Sequence, residues 1–280
     1  LAGAQKPKKA PVREFKSAKE AMAEYGEGQI GLYDAIAVKK EVTNIARLNM
    51  KTFATAEEAI AGAKDIIVKV IPSKIANEFI KKHHYSGKVV PNSQLHFGAF
   101  LNNELHGVMS YGPSIDKRKI IPLVEGTKWN EFIELNRMAF DEFLPRNSES
   151  RCIAYSIKLI KKNAPHIKWV ISFADGCQCG DGTIYRASNF VLTEIRKNTN
   201  LKINPITNET IHTITAYHQN KLKDFRSWKK VEGYQLRYIY FIDKSYKDKL
   251  TVPIIPFSKI DELNAGMYKG KKITLKERHK

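Results

Sequence analysis

Four short stretches of this 280-residue chain carry side chains able to do chemistry. Each also has a plain structural reading. His83-His84-Tyr85-Ser86-Gly87 closes a helix-like segment. Histidine and tyrosine joined by a carboxylate from elsewhere suit a hard or borderline metal such as iron better than zinc. The same run also reads as helix-end caps and solvated rings. Asp175 stands in Ser172-Phe-Ala-Asp175-Gly-Cys177-Gln-Cys179-Gly-Asp181-Gly, after an apolar run and before a glycine-rich loop. Ligands collect at such strand ends in open α/β sheets. Cys177 and Cys179 alone are too few for a four-ligand metal site and read equally as loop residues. In Gly182-Thr-Ile-Tyr185-Arg-Ala-Ser-Asn-Phe190, Tyr185 is either core packing or a proton donor.

The remaining stretch is Leu144-Pro-Arg-Asn-Ser-Glu-Ser150, a turn that leads into a helix. A helix start exposes free N–H groups and a partial positive charge, and so binds anions. Arg146, Asn147, Ser148 and Ser150 supply donors there, with Arg151 in the first turn. Asn147 or Ser148 would equally serve as an ordinary cap. No Gly-x-x-x-x-Gly-Lys and no Gly-x-Gly-x-x-Gly is present, so neither a P-loop nor a dinucleotide turn is expected.

The elements that must position these residues follow from periodicity. Ile66–Ile71 is a β run stopped by Pro72, and Ser73 opens a helix with Ile75, Ala76, Phe79 and Ile80 on one face. Leu95–Leu101 and Leu105–Tyr111 form a hairpin around Asn102-Asn103. Phe132–Phe140 is a strand, Ser148–Asn163 a helix, Lys168–Asp175 a buried strand and Thr183–Asn189 a short helix. Val191–Arg196 and Tyr234–Asp243 are the last strands, with Ile206–Lys230 as an excursion between them. A hairpin followed by βαβ units makes an α/β fold with a mixed central sheet flanked by helices. We expect a partly helical N-terminal extension over 1–63, a catalytic domain over 64–243 with an insertion at 197–232, and a basic C-terminal tail over 244–280.

Composition narrows the partners. The chain carries 47 Lys and Arg against 29 Asp and Glu, a net charge of +18. Over half of the excess lies in residues 196–280, which hold 19 basic and 8 acidic residues. Such a balance asks for a polyanion or a very anionic cofactor, although part of it reads as a solvated face. Hydrophobic residues make up 42%, which excludes a wholly disordered basic tail. No apolar run is long enough to span a membrane, and no secretory signal is expected. Three cysteines argue against a disulfide framework and for a reducing compartment. Lys117-Arg118-Lys119 is a candidate clamp for a nucleic-acid backbone. A second is Arg226, Lys229 and Lys230, where Phe225 and Trp228 interleave the charges. An amphipathic helix would show the same pattern, and the triplet also reads as a solvated loop.

Taken in order, the strand, anion-binding turn, helix, strand and Tyr-bearing short helix resemble the acetyl-CoA-dependent N-acetyltransferase (GNAT) fold. The usual Gly-rich pyrophosphate turn of that fold is replaced here by Leu-Pro-Arg-Asn-Ser-Glu-Ser (144–150). With Glu134-Leu-Asn-Arg137, Ser172-Phe-Ala-Asp175 and Gly182-Thr-Ile-Tyr185, that turn resembles the Mom family of phage DNA-modification proteins, over roughly 66–243. The resemblance implies conversion of adenine in double-stranded DNA to N6-carbamoylmethyl-adenine. Acetyl-CoA would supply the carbon unit, and the product would shield the DNA from restriction enzymes. It implies action in the cytoplasm of an infected bacterial host, and a link to iron. His84, Arg137, Ser150, Asp175 and Tyr185 match residues important in the family. His84, Tyr85 and Asp175 are the expected iron ligands. Arg137 would hold a phosphate or acyl oxygen, Arg146, Asn147, Ser148 and Ser150 the pyrophosphate, and Tyr185 a proton for the leaving thiolate. The competing expectations are a conventional N-acetyltransferase acting on a protein or small amine, and a non-enzymatic DNA-binding protein.

Overall fold

A computed structural model describes residues 65–145, 147–274 and Glu277. The extension expected over 1–63 and the candidate Arg146 lie outside the described residues.

A mixed seven-stranded sheet flanked by helices forms the centre, as the periodicity predicts. The chain runs β1 (Ile67–Val70), α1 (Ser73–His83), β2 (Leu95–Leu101), β3 (Glu104–Gly112), α2 (Lys117–Ile120), a 3₁₀ turn (Ile121–Leu123) and β4 (Phe132–Phe140). It continues through α3 (Ser148–Asn163), β5 (Trp169–Gly176), α4 (Thr183–Ala187) and β6 (Val191–Lys197) to β9 (Tyr234–Phe241). The strand order is β1-β2-β3-β4-β5-β9-β6. Asn102 and Asn103 both have positive φ, 50° and 68°, the conformation a two-residue hairpin turn requires. Lys81, Lys82 and His83 in the last turn of α1 complement its C-terminal partial charge.

One pairing shapes the site. β4 and β5 are parallel and in register only over Phe132–Leu135 and Trp169–Ser172. β4 then runs on to Phe140 with β3, and β5 runs on to Gly176 with β9. Beyond Leu135 and Ser172 the two central strands therefore part, and the sheet opens.

The two faces of the sheet bury different elements. On one, Met109, Tyr111, Ile133, Leu135, Val170 and Ala174 pack with Cys152, Ile153, Ile157 and Ile160 of α3. On the other, Val108 and Ala139 meet Ala76 and Ile80 of α1. Farther along that face, Phe132, Trp169, Ile171 and Phe241 pack with Leu123, Val124 and Tyr246.

The 197–232 region is more ordered than an excursion. It contains the hairpin of β7 (Leu201–Ile203) and β8 (Thr210–His212), then α5 (Thr213–His218) and α6 (Leu222–Phe225). Its small core is Ile211, Ala216 and Phe225 with Trp228 against it. Phe225 is only 4% exposed, so this ring packs inward rather than facing a nucleic acid. The buried Lys202 ammonium donates to the carbonyls of Phe225 (2.8 Å) and Arg226 (2.7 Å), taking up the end of α6.

Residues 244–274, expected as a basic tail, instead run back along the domain. A 3₁₀ stretch (Lys244–Lys249), α7 (Ser258–Glu262), β10 (Met267–Tyr268) and β11 (Lys271–Lys272) form there. Tyr246, Ile260, Ala265 and Met267 are buried, and the Met267 N–H donates to Asp181 Oδ2 at 3.0 Å. Counting charges alone overlooked these spaced apolar residues, whose burial holds the segment down. No helix among the described residues is long and apolar enough to cross a membrane.

Candidate active site

Asp175 lies at the end of β5, where its side chain organises the loop behind it. Oδ1 accepts the Cys177 N–H at 3.0 Å. Oδ2 accepts the Tyr85 hydroxyl and the Gln178 amide, each at 2.9 Å. Its backbone carbonyl receives the N–H groups of Cys179 and Gly180, which curls the Gly-rich loop around it. Tyr85 follows α1, where the chain turns out of the helix at His84. Burial first, and then the Asp175 charge, push the Tyr85 phenol far above its ordinary range, so it donates a proton in this pair.

His84 Nδ1 lies 2.8 Å from Ser86 Oγ and accepts the Ser86 N–H at 3.1 Å. Nδ1 therefore offers a lone pair, and the ring hydrogen sits on Nε2. Burial first, and then the Arg137 guanidinium, lower its pKa to about 4, so the ring is neutral at pH 7. Arg137 donates through Nε to the Lys88 carbonyl at 3.0 Å, which ties β4 to the loop after α1.

Sheet alternation decides which side each residue faces. Ser172 and Ala174 belong to the α3 side, so Phe173 and Asp175 face the α1 side. On β4, Leu135 pairs with Tyr111 but Arg137 pairs with Ser110, so Asn136 is an extra residue. The bulge restarts the alternation and brings Glu134 and Arg137 to the same α1 face. Thus His84, Tyr85, Arg137 and Asp175 are assembled there, with Glu134 beside them. Burial pushes the Glu134 carboxyl up, while Ser114, Asn136 and Arg137 pull it back.

Tyr185 lies on the opposite, α3 side and is 8% exposed. Its hydroxyl is 2.8 Å from Ser172 Oγ, which donates to the Leu135 carbonyl at 3.0 Å. Burial pushes its phenol up to about 12, so it too keeps its proton. α4 can bring Tyr185 in because Gly182 precedes it at φ 86°, under the Tyr238 ring, where no side chain fits. Arg137 is near enough to lower the pKa of Tyr185 as well as that of His84. Arg137 thus acts electrostatically on a residue of each face of the sheet.

The anion turn sits at the far end of β4. Asn147 is in the left-handed region (φ 70°), and no side chain caps α3. The Ser148 hydroxyl is buried and donates to the Pro145 carbonyl, so it is withdrawn from any ligand. The Ser150 hydroxyl donates to the Asn147 carbonyl at 3.1 Å and keeps its lone pairs. Asn147 and Ser150 stand at the helix start, while the Ser148 N–H, like its hydroxyl, is taken by the Pro145 carbonyl (3.2 Å).

The two basic sets lie apart. Lys117 donates to the Trp129 carbonyl (2.8 Å) and Asn130 Oδ1 (3.2 Å), bracing a loop. Lys119 pairs with Asp116 at 3.0 Å on the surface. Arg226, Lys229 and Lys230 are exposed on the inserted unit. That unit springs from Lys197 and Tyr234, in register with Gly176, and so stands at the Asp175 end of the sheet.

The expected iron ligands do not make a metal site as arranged. His84 Nε2 carries the ring hydrogen, Tyr85 keeps its proton, and Asp175 already receives three hydrogen bonds. Among the described residues no group of three His, Cys, Asp or Glu side chains converges. Sequence reading passed over Gln178, Lys88 and Phe173, and it quoted Glu134 without a role. Glu134 and Arg137, three residues apart, gave no sign of sharing a face, because the bulge at Asn136 decides it.

Acid, phenol and guanidinium on one face and a buried tyrosine on the other are carried by a mixed α/β fold whose central strands part between them. The chain belongs to the Mom protein family, which matches residues 65–259. A curated relative, methylcarbamoylase mom of Escherichia phage Mu, is 41% identical over 130 residues, 46% of this chain and 54% of the relative. The chain thus spans about half the length of that relative. Among solved structures, the IAA acetyltransferase of Bacillus cereus is similar at a TM-score of 0.38 and 10% identity, covering 63% of this chain and 99% of that one. The ribosomal-protein-S18-alanine N-acetyltransferase of Escherichia coli is similar at a TM-score of 0.38 and 11% identity, covering 64% and 94%.

Proposed function

We propose that this chain is a DNA-modifying transferase that builds a carbamoylmethyl group on N6 of adenine from an acetyl-CoA-derived unit. The observation that supports it most is the opening between β4 and β5, with Asp175, Tyr85 and Arg137 on one side and Tyr185 with Ser172 on the other. The uncapped start of α3 suits a pyrophosphate at the end of the same strand. On this reading Asn147, Ser150 and the α3 N–H groups hold the pyrophosphate, and Arg137 orients the acyl oxygen. Bound acetyl-CoA supplies a two-carbon unit as a thioester. The protonated Tyr185 hydroxyl is placed to give a proton to the departing thiolate, and Asp175 to accept the adenine amine.

The reaction needs more than proton transfer. Joining N6 to the acetyl methyl carbon breaks an N–H and a C–H bond and removes two electrons and two protons. An external electron acceptor must take the electrons, and an ammonia-level nitrogen donor must attack the thioester carbonyl, displacing the CoA thiolate and leaving the terminal amide; the residues named here serve binding and proton placement. His84, Tyr85 and Asp175, as hydrogen-bonded here, do not fit iron. The base amine is paired within a duplex, so the target adenine must leave the stack. The inserted unit with Arg226, Lys229 and Lys230 stands at the Asp175 end and suits the duplex backbone. Such a modification would protect phage DNA from restriction in the cytoplasm of the infected host.

The test is mass spectrometry of nucleosides from DNA coexpressed with the protein. A shifted deoxyadenosine mass is expected, with resistance of that DNA to restriction digestion. Unchanged DNA together with acetylated amines would instead favour conventional acetyl transfer. Unchanged DNA that the protein nonetheless binds would leave a binding protein.

A further inference from the structure

Phe173 belongs to an interior strand of the sheet, yet it is 43% exposed, while Ile171 and Ser172 beside it are fully buried. It shares its face with Asp175, two residues or about 7 Å further along β5. Laterally its in-register neighbour on β9 is Arg237. That guanidinium is fixed by Thr193 Oγ1 (3.0 Å), the Thr193 carbonyl (3.2 Å) and Glu194 (3.6 Å). On the other side the β4–β5 ladder has already ended at Leu135 and Ser172, so no in-register β4 residue flanks Phe173. Phe173 is thus a half-exposed aromatic floor, walled by an immobilised cation and ending at a carboxylate.

We infer that Phe173 is the platform on which an unpaired adenine of the DNA strand stacks, with its exocyclic amine donating to Asp175. The inference rests on the proposed DNA substrate and names the subsite that receives the base. An ionised carboxylate offers about four acceptor positions. Three are taken by Tyr85, Gln178 and the Cys177 N–H, which leaves one for an amine hydrogen. A flat apolar ring beside a single remaining acceptor matches a purine bearing an amino group. Thymine presents no exocyclic amine and would leave that acceptor without a partner.

The test uses the full chain and short single-stranded oligonucleotides, one with a single adenine in a thymine run and one of thymine alone. Binding is read by fluorescence anisotropy. The wild type should prefer the adenine strand. Phe173→Ala should weaken its binding about tenfold or more, the scale of one base–aromatic stack, and leave the thymine strand unchanged. Phe173→Tyr keeps the ring face and should retain the preference, which separates a lost platform from a damaged fold. Equal binding of both strands by the wild type would overturn the platform, even if coexpressed DNA carries a modified adenine. Equal weakening of both strands by Phe173→Ala, or no weakening, would overturn it too.

Discussion

The Tyr85 hydroxyl donates to Asp175 Oδ2 at 2.9 Å, joining residues 90 positions apart. This bond locks the end of α1 to the end of β5 across the opening in the sheet. It holds one carboxylate oxygen in place while the glycine-rich loop holds the other. Removing the hydroxyl in Tyr85→Phe should slow adenine modification about tenfold to a hundredfold, as expected when a hydrogen bond to a charged group is lost. Folding stability should change by no more than about 1 kcal/mol, since the ring stays and is half-exposed. Time courses of modified nucleoside, beside urea unfolding, check both. Unimpaired modification would remove Tyr85 from the machinery.

Glu134 provides a pH signature. Burial raises its carboxyl above the ordinary 4.5, so between that value and its folded value the native state binds more protons than the unfolded one. Its effect on stability is therefore most favourable below pH 4.5 and is lost as pH rises through the folded value. Glu134→Gln should stabilise the protein at pH 7 and give little or no gain at pH 4. Urea unfolding at the two pH values measures this. A gain of equal size at both would mean that charge burial is not the cause.

At the start of α3, a negative charge would compete with a bound pyrophosphate for the same N–H groups. Ser150→Asp should weaken CoA binding about tenfold, read by titration calorimetry with CoA itself, while the helix stays folded by circular dichroism. Undiminished affinity would place the pyrophosphate elsewhere.

The inserted unit and the α2 loop make different claims on DNA. Arg226, Lys229 and Lys230 are exposed, whereas Lys117 braces the Trp129 loop and Lys119 faces Asp116. Lys229→Ala with Lys230→Ala should weaken duplex binding at every sequence and reduce the slope of log affinity against log salt by about 2. Lys119→Ala should move the slope by less. Anisotropy across a salt series decides, and an unmoved slope in the double variant would leave the inserted patch as a solvated face.

Much of this was legible in the chain itself. Pro72, the Asn102-Asn103 turn, the apolar run ending at Asp175 and the 3.6-residue pattern of α3 gave the elements nearly at their observed ends, because each depends on neighbours close in sequence. The four motifs also carried the family. Other features were not legible because they depend on partners distant in the chain. Strand pairing that stops after Leu135 and Ser172 opens the sheet, and nothing local marks that point. The bulge at Asn136 turns Arg137 to the face of Asp175. The roles of Ser148 and Phe225 reversed for the same reason, since side chains that pattern alone would offer to a ligand found protein partners first. The sequence by itself determined which residues could act and the elements that carry them. Tertiary structure alone decided that Tyr85 meets Asp175, that Tyr185 stands on the other side of the sheet, and that Phe173 is left half-exposed, because contact across a sheet depends on register and alternation rather than on spacing along the chain.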